Sequence, residues 1–330
     1  MMMVAVSGCH HLFAQPEFGI EYAAEMQTDF VNQNLVNLLK LNFSQALCDG
    51  IRVDISSISI AKTRSERLVD DLQIFSNIEE EDLPFAFAVA GVSFRCGHSQ
   101  FFVGVRNLNE DYFTSPVTSL FTNSSCGIFP TISANFSIAN YPLSSFGFHY
   151  AYEKESWKVQ ASVYNGRGYN GFSGGNSVFR FCPASDGVFG VTSVNYQRDR
   201  GSYYLGGALY NGLHVCKGQI EKRSLSGAVW GYVEQPLTQS LHLLIQYSVA
   251  FPSNVWCRMF GGVGLVMQLR MAEIGLFSDC ASFSGKDEYA SELTCKVTLS
   301  HHVALQPAVH LIQGVCEFRA VALMRLNITL

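Results

Sequence analysis

Side chains in this chain alternate between apolar and other types with a period of two over most of its length, and that period fixes the class of fold open to it. In 145–153 (SFGFHYAYE), Phe146, Phe148, Tyr150 and Tyr152 share one face, while Gly147, His149 and Ala151 share the other. In 156–164 (SWKVQASVY), Trp157, Val159, Ala161 and Val163 oppose Lys158, Gln160, Ser162 and Tyr164. Successive side chains of a strand point to opposite faces, so such a segment is an extended strand with one apolar face. From about residue 85 the same pattern recurs at 101–107, 132–138, 188–196, 202–210, 226–234, 240–249, 259–268, 272–278, 289–299, 302–311 and 318–330. Upstream, 18–27 and 50–60 read as strands, whereas 32–42 and 63–77 fit short helices as well. Turn dipeptides join the strands: Asn165-Gly166, Asn170-Gly171, Asp186-Gly187 and Asn211-Gly212. With no helical crossover between most neighbours, the strands are antiparallel.

Which face is inside decides between a soluble sandwich and a membrane barrel. Only 15% of the 330 residues are charged, 22 Lys+Arg against 27 Asp+Glu, where a soluble protein carries about 25%. The non-apolar face is built from Gly, Ser, Ala, Asn and Gln, which suit a wet lumen better than an outer surface. The longest plain apolar run, Phe85 to Val92, is far below the roughly 18 residues of a membrane helix. Outer-membrane strands need only about 10 residues each, so about 16 to 18 of them fit this length. The expected fold is therefore all-β, a transmembrane antiparallel up-and-down β-barrel of about 16 to 18 strands with a water-filled interior. Residues 1–15 are expected to be the remnant of a signal peptide, with a cleavage point near Ala14 and Cys9 as an alternative lipid acceptor; residues 16–330 form a single barrel domain. A net charge of −5 without basic blocks excludes a nucleic-acid partner. The ten cysteines are scattered, with no metal-ligand spacing, so neither a metal nor another cofactor is expected.

Residues 99–166 resemble the bacterial carbohydrate-selective porin family. The resemblance rests on Gly104, Asn107, Asp111 and Phe113, the stretch Ser119 to Ser125, Gly127, Pro130, Tyr141, Pro142, Gly147 and Val163 to Gly166, in the family's order and spacing. It continues through 179–197 and 203–212 and returns near the C-terminus with Glu288, Glu292, Gln306 and Pro307. The chain departs at Thr192 or Ser193, where the family usually has Glu, at Val309 and His310, and at Leu330, where the terminal residue is commonly aromatic. The resemblance implies a bacterial outer-membrane pore for the passive diffusion of small carbohydrates, with the lipid bilayer and sugars as partners. It leaves monomer or homo-oligomer open.

A selective pore needs an eyelet. The stretch Asn107 to Pro130, holding Glu110, Asp111, Tyr112 and Phe113, is the candidate inward loop, a solvated surface loop being the other reading. By parity Arg106, His149, Lys158 and Gln160 face the lumen, since Arg toward lipid at the bilayer midplane costs about 2–4 kcal/mol. Arg167 and Arg180 sit beside turns, at the pore rim or simply solvated. Gly166–Gly171 fits G-x-G-x-x-G and Gly171–Gly175 fits G-x-S-x-G, but no helix follows either, so both read as loop. Two other functions stay in view: a hydrolase barrel using Ser173, and a soluble secreted all-β binding module. Pro307, inside a strand pattern, predicts a bulge.

Overall fold

The structure is a computed structural model that describes residues 15–212, 215–216, 219–220, 224–252, 255–314 and 317–330. Sixteen antiparallel strands, each bonded to its sequence neighbours, form a closed barrel. The first five are β1 (Glu17–Thr28), β2 (Gln33–Cys48), β3 (Ile51–Lys62), β4 (Leu83–Cys96) and β5 (Ser99–Arg106). Next come β6 (Ser145–Lys154), β7 (Trp157–Asn165), β8 (Val188–Arg198), β9 (Gly201–Gly212) and β10 (Ser224–Pro236). The last six are β11 (Leu241–Phe251), β12 (Cys257–Gln268), β13 (Ala272–Phe283), β14 (Lys286–Thr298), β15 (Val303–Gln313) and β16 (Phe318–Thr329). β16 closes on β1 from Glu21 opposite Thr329 to Thr28 opposite Ala322. Closure removes every open edge, so no main-chain group of the sheet needs water as partner.

The two ends differ. One carries the first and last described residues and tight turns such as 49–50, 97–98 and 155–156; the other carries the long connections 63–82, 107–144 and 166–187. Glycine is required at the tight end at Gly50, where φ is +77° and a Cβ would lie 2.6 Å from the Arg95 carbonyl oxygen.

The alternation sorts the faces as the sequence predicts. Leu205, Val263, Leu276 and Leu293 are 68%, 53%, 51% and 55% exposed on the outer wall, although these are the residues water rejects most strongly. Phe146, Phe148, Trp157 and Val159 also face outward, opposite the buried Gly147, His149 and Gln160. An apolar belt around a closed sheet is the surface a bilayer solvates. Among the described residues no helix is long and apolar enough to cross a membrane.

Several expectations change. Residues 132–138 are not a strand: Pro130–Ser133 is a helical turn inside the 107–144 connection, and Ile132, Phe136 and Ile138 alternate because they pack inward there. Of residues 32–42, which fit strand or helix, 33–42 belong to strand β2, and 63–77 is irregular chain. Asn165-Gly166 and Asp186-Gly187 flank the long 166–187 connection instead of making two-residue hairpins. Pro307 makes no bulge: Thr294 opposite Ala308 and Val297 opposite Leu305 keep one register across it, with the two intervening pairings skipped. The leader segment, Cys9 included, lies outside the described residues apart from residue 15.

Candidate functional site

The 107–144 connection folds into the barrel and is stitched to the inner wall strand by strand. It leaves β5 at Asn107, whose side-chain oxygen accepts the Asn109 N–H at 2.7 Å and starts the turn Leu108–Glu110. Arg106 then donates to both oxygens of Asp111, at 2.5 and 2.6 Å. The Asp111 carbonyl accepts from Gln160 on β7 at 2.9 Å, and the Tyr112 hydroxyl meets Ser162 at 2.9 Å. His149 of β6 shares that Ser162 hydroxyl at 2.8 Å. Phe113, at φ +61°, packs its ring 5.1 Å from Trp230 of β10 and 5.2 Å from Phe129.

Beyond Phe113 the wall supplies carboxylates to the loop's unpaired main-chain N–H groups. Glu234 on β10 accepts from the Val117 and Thr118 N–H groups at 3.1 and 3.2 Å and from the Ser115 hydroxyl. Glu292 on β14 accepts from Thr122 and Asn123 N–H at 2.8 and 2.9 Å. The Thr122 hydroxyl bridges Glu292 and His310 at 2.9 Å each. Asn123 donates to Asp279 at 3.1 Å, and Gln306 to the Leu120 carbonyl at 2.6 Å. A buried N–H without a partner is costly and charged acceptors make the stronger bonds, so these glutamates hold the loop inside the barrel.

The 63–82 connection is held the same way. Glu288 accepts the Leu72 and Gln73 N–H groups at 2.9 Å. Ser76 donates to Glu25, which is paired with Arg325 at 2.5 Å. Arg325 also donates to Asn77 at 2.9 Å, and Gln27 and Asn34 reach Glu79. The two inward loops bond each other through Asn77 N–H to the Thr122 carbonyl (2.7 Å) and Ser124 N–H to the Ile74 carbonyl (3.0 Å). Burial and the Glu288 charge push the Asp71 carboxyl up to about 7, against the pull of Arg67.

With one side of the barrel filled by the loop, the open space lies against β2 and β3. It is a cavity of about 1390 Å³ reached by Leu38, Lys40, Ile58 and Lys62 from the wall and by all three long connections. Its charged lining is five cationic side chains (Lys40, Lys62, Arg67, Arg167, Arg325) and six anionic ones (Glu79, Glu80, Glu81, Asp82, Glu110, Asp186). Lys40 Nζ and Glu110 Oε1 meet at 2.9 Å in that lining, each side chain about a quarter exposed at 23% and 24%. Burial pushes the Glu79 and Glu80 carboxyls up, with Arg67 and Lys62 pulling the other way.

The residues singled out from sequence therefore fall into distinct places. Asn107, Glu110 and Arg167 line the cavity. Arg106, Asp111, Tyr112, Phe113, His149 and Gln160 form the seam between loop and wall, Tyr112 and Phe113 being buried. Lys158 borders a second space of about 30 Å³ beside Tyr204, Trp230 and Tyr232, room for about one water. Arg180 is outside the cavity lining and pairs with Asp186 at 3.0 Å. Ser173 is exposed in a two-residue hairpin, Phe172–Ser173 against Asn176–Ser177, not on the strand-to-helix turn a serine nucleophile elbow needs. Sequence reading passed over Lys40, Lys62, Arg67, Arg325 and the Glu79–Asp82 run. Only that acidic run is a visible signal in the sequence.

No family model and no curated protein matches the chain. Among solved structures, a high-pH structure of Pseudomonas putida OprB superposes with a TM-score of 0.81 at 13% identity, over 96% of this chain and 94% of that one. An anion-selective porin from Comamonas acidovorans gives 0.63 at 11%, over 96% and 100%. OmpT with loop L8 deleted, from the outer membrane of Vibrio cholerae, gives 0.63 at 9%, over 96% and 99%. Likeness at such identities is likeness of fold, and it agrees with the geometry above: the chain folds as a closed 16-stranded antiparallel barrel, as these proteins do.

Proposed function

We propose that the protein is an outer-membrane porin through which small uncharged solutes, sugars foremost, diffuse passively. The observation that carries this reading is the near balance of charge around the cavity, five cationic side chains interspersed with six anionic ones. A lining of one sign would concentrate counter-ions. A balanced one offers donors and acceptors to hydroxyl groups while favouring neither ion, at an affinity low enough for release. Lys40, Asn107 and Glu110 are the eyelet in this reading, Arg167 sits at its rim, and the seam residues Arg106, Asp111, Tyr112, Phe113, His149 and Gln160 keep the loop in place. The apolar outer belt supports residence in the bilayer. Diffusion down a gradient calls for no cofactor.

Swelling of liposomes holding the refolded protein tests it. Glucose and maltose should enter faster than gluconate and glucosamine, which are charged and close to glucose in size. Faster entry of either charged solute than of glucose contradicts the proposal.

A further inference from the structure

The 166–187 connection straddles the barrel rim. On the inside, Arg167 and Asp186 line the cavity. On the outside, its middle crosses the outer wall over β4, β5 and β6. Val105 of β5 points outward by parity, yet it is fully buried because Tyr169 and Val178 cover it. Phe172 packs on Phe85 and Phe87 at 5.6 and 5.3 Å, and Phe181 on Phe146 and Phe148 at 6.1 and 6.3 Å. The inner and outer parts are joined through one carboxylate: Asp186 accepts from Asn165 (2.9 Å), Tyr169 (3.0 Å) and Arg180 (3.0 Å).

The outer part leaves a patch of rings uncovered. Phe172, Phe179 and Phe181 are 48%, 51% and 42% exposed, beside Phe85 and Phe148 at 45% and 49%. All are phenylalanine, without the polar handle that suits a ring to the wet boundary of a membrane. At the opposite end of the barrel the outward aromatics are mixed: Trp157, Tyr196 and Tyr203 carry such handles, beside the exposed Phe18, Phe94 and Phe101. An exposed apolar patch of this kind marks an interaction surface, and here it adjoins the outward phenylalanines Phe85, Phe87, Phe146 and Phe148 of the wall.

We propose that this connection is a lipid-embedded latch: its phenylalanines lie among acyl chains of the bilayer, and the anchored strap holds Arg167 and Asp186 at the pore mouth. The proposal rests on the barrel being a membrane pore, and its test separates the two. A Phe179→Trp variant is made in a Trp157→Phe background and reconstituted in phosphatidylcholine vesicles carrying nitroxides on the acyl chains, and the emission of that background, which keeps Trp230 and Trp256, is subtracted from each protein measured. A Phe172→Trp variant in the same background guards against misfolding of the first. The protein with Trp157 intact is the control for insertion.

Loss of the added tryptophan's emission to chain nitroxides, with no loss to aqueous iodide, is the expected result. Quenching by iodide instead places the patch in water and overturns the latch. Quenching by neither, together with a cross-linkable oligomer, places a second copy on the patch and also overturns it. If Trp157 in the control escapes the chain nitroxides too, the barrel reading itself has failed.

Discussion

Lys40 of β2 and Glu110 of the inward loop form an ion pair at 2.9 Å in the lining of the main cavity, joining the wall to the loop. Both side chains keep water contact, so the pair contributes little to stability. Under the proposed function its weight lies in the field that a passing solute meets. Glu110→Gln leaves Lys40 uncompensated and should shift permeability toward anions; Lys40→Gln should shift it toward cations. A few-fold change in permeability ratio is expected at low salt, fading as salt screens the charge. Reversal potentials in a KCl gradient measure it, and equal values for the two variants contradict the assignment.

The carboxylate of Glu292 organises the deepest part of the loop through Thr122, Asn123 and, by way of the Thr122 hydroxyl, His310. Glu292→Ala strands two buried N–H groups at about 1–3 kcal/mol each. The barrel's own hydrogen bonds are untouched. Limited proteolysis should then cut within 107–144 while the barrel keeps its heat resistance; Glu292→Gln should fall between variant and wild type.

Asp71 gives the 63–82 connection a pH dependence. Its carboxyl is raised from the ordinary 3.8 to about 7 when docked, by burial and by Glu288. The docked state thus binds the proton more tightly than the undocked one. Its contribution to docking is full below about 4 and is lost as pH rises through about 7. Protection of the Leu72 and Gln73 amides from hydrogen exchange, taken relative to the intrinsic rate at each pH, should fall across that window, and Asp71→Asn should remove the fall.

The two faces of the wall should answer differently to the same new charge. Leu276→Arg puts a cation on the middle of the apolar belt and should cost about 2–4 kcal/mol of folding stability in vesicles. Asn42→Arg, on the lumen face beside Glu21, should stay within about 0.5 kcal/mol. Urea titration of folding in vesicles reads both.

The period-two pattern made the barrel legible, with its strand directions and the outward turn of Phe148 and Trp157, because lipid and lumen select opposite residue types on alternate positions. It failed where the inner face is not wet. Val36 and Leu38 of β2 face inward beneath the loops, so 32–42 is apolar on both faces and fits a helix as well as a strand. Residues 132–138 alternate for a different reason, packing inside the barrel on a loop. Lys40 escaped notice because parity fixes its face and cannot show that Glu110, 70 residues on, will cross to meet it. Glu288 and Glu292 stood out by resemblance, but their grip on main-chain N–H groups appears only once the loops are placed.

Current through single refolded molecules in a planar bilayer tests the pore most directly. Discrete conductance steps, reduced when glucose or maltose is added, are the predicted result. Folded and inserted protein that passes no current would contradict it.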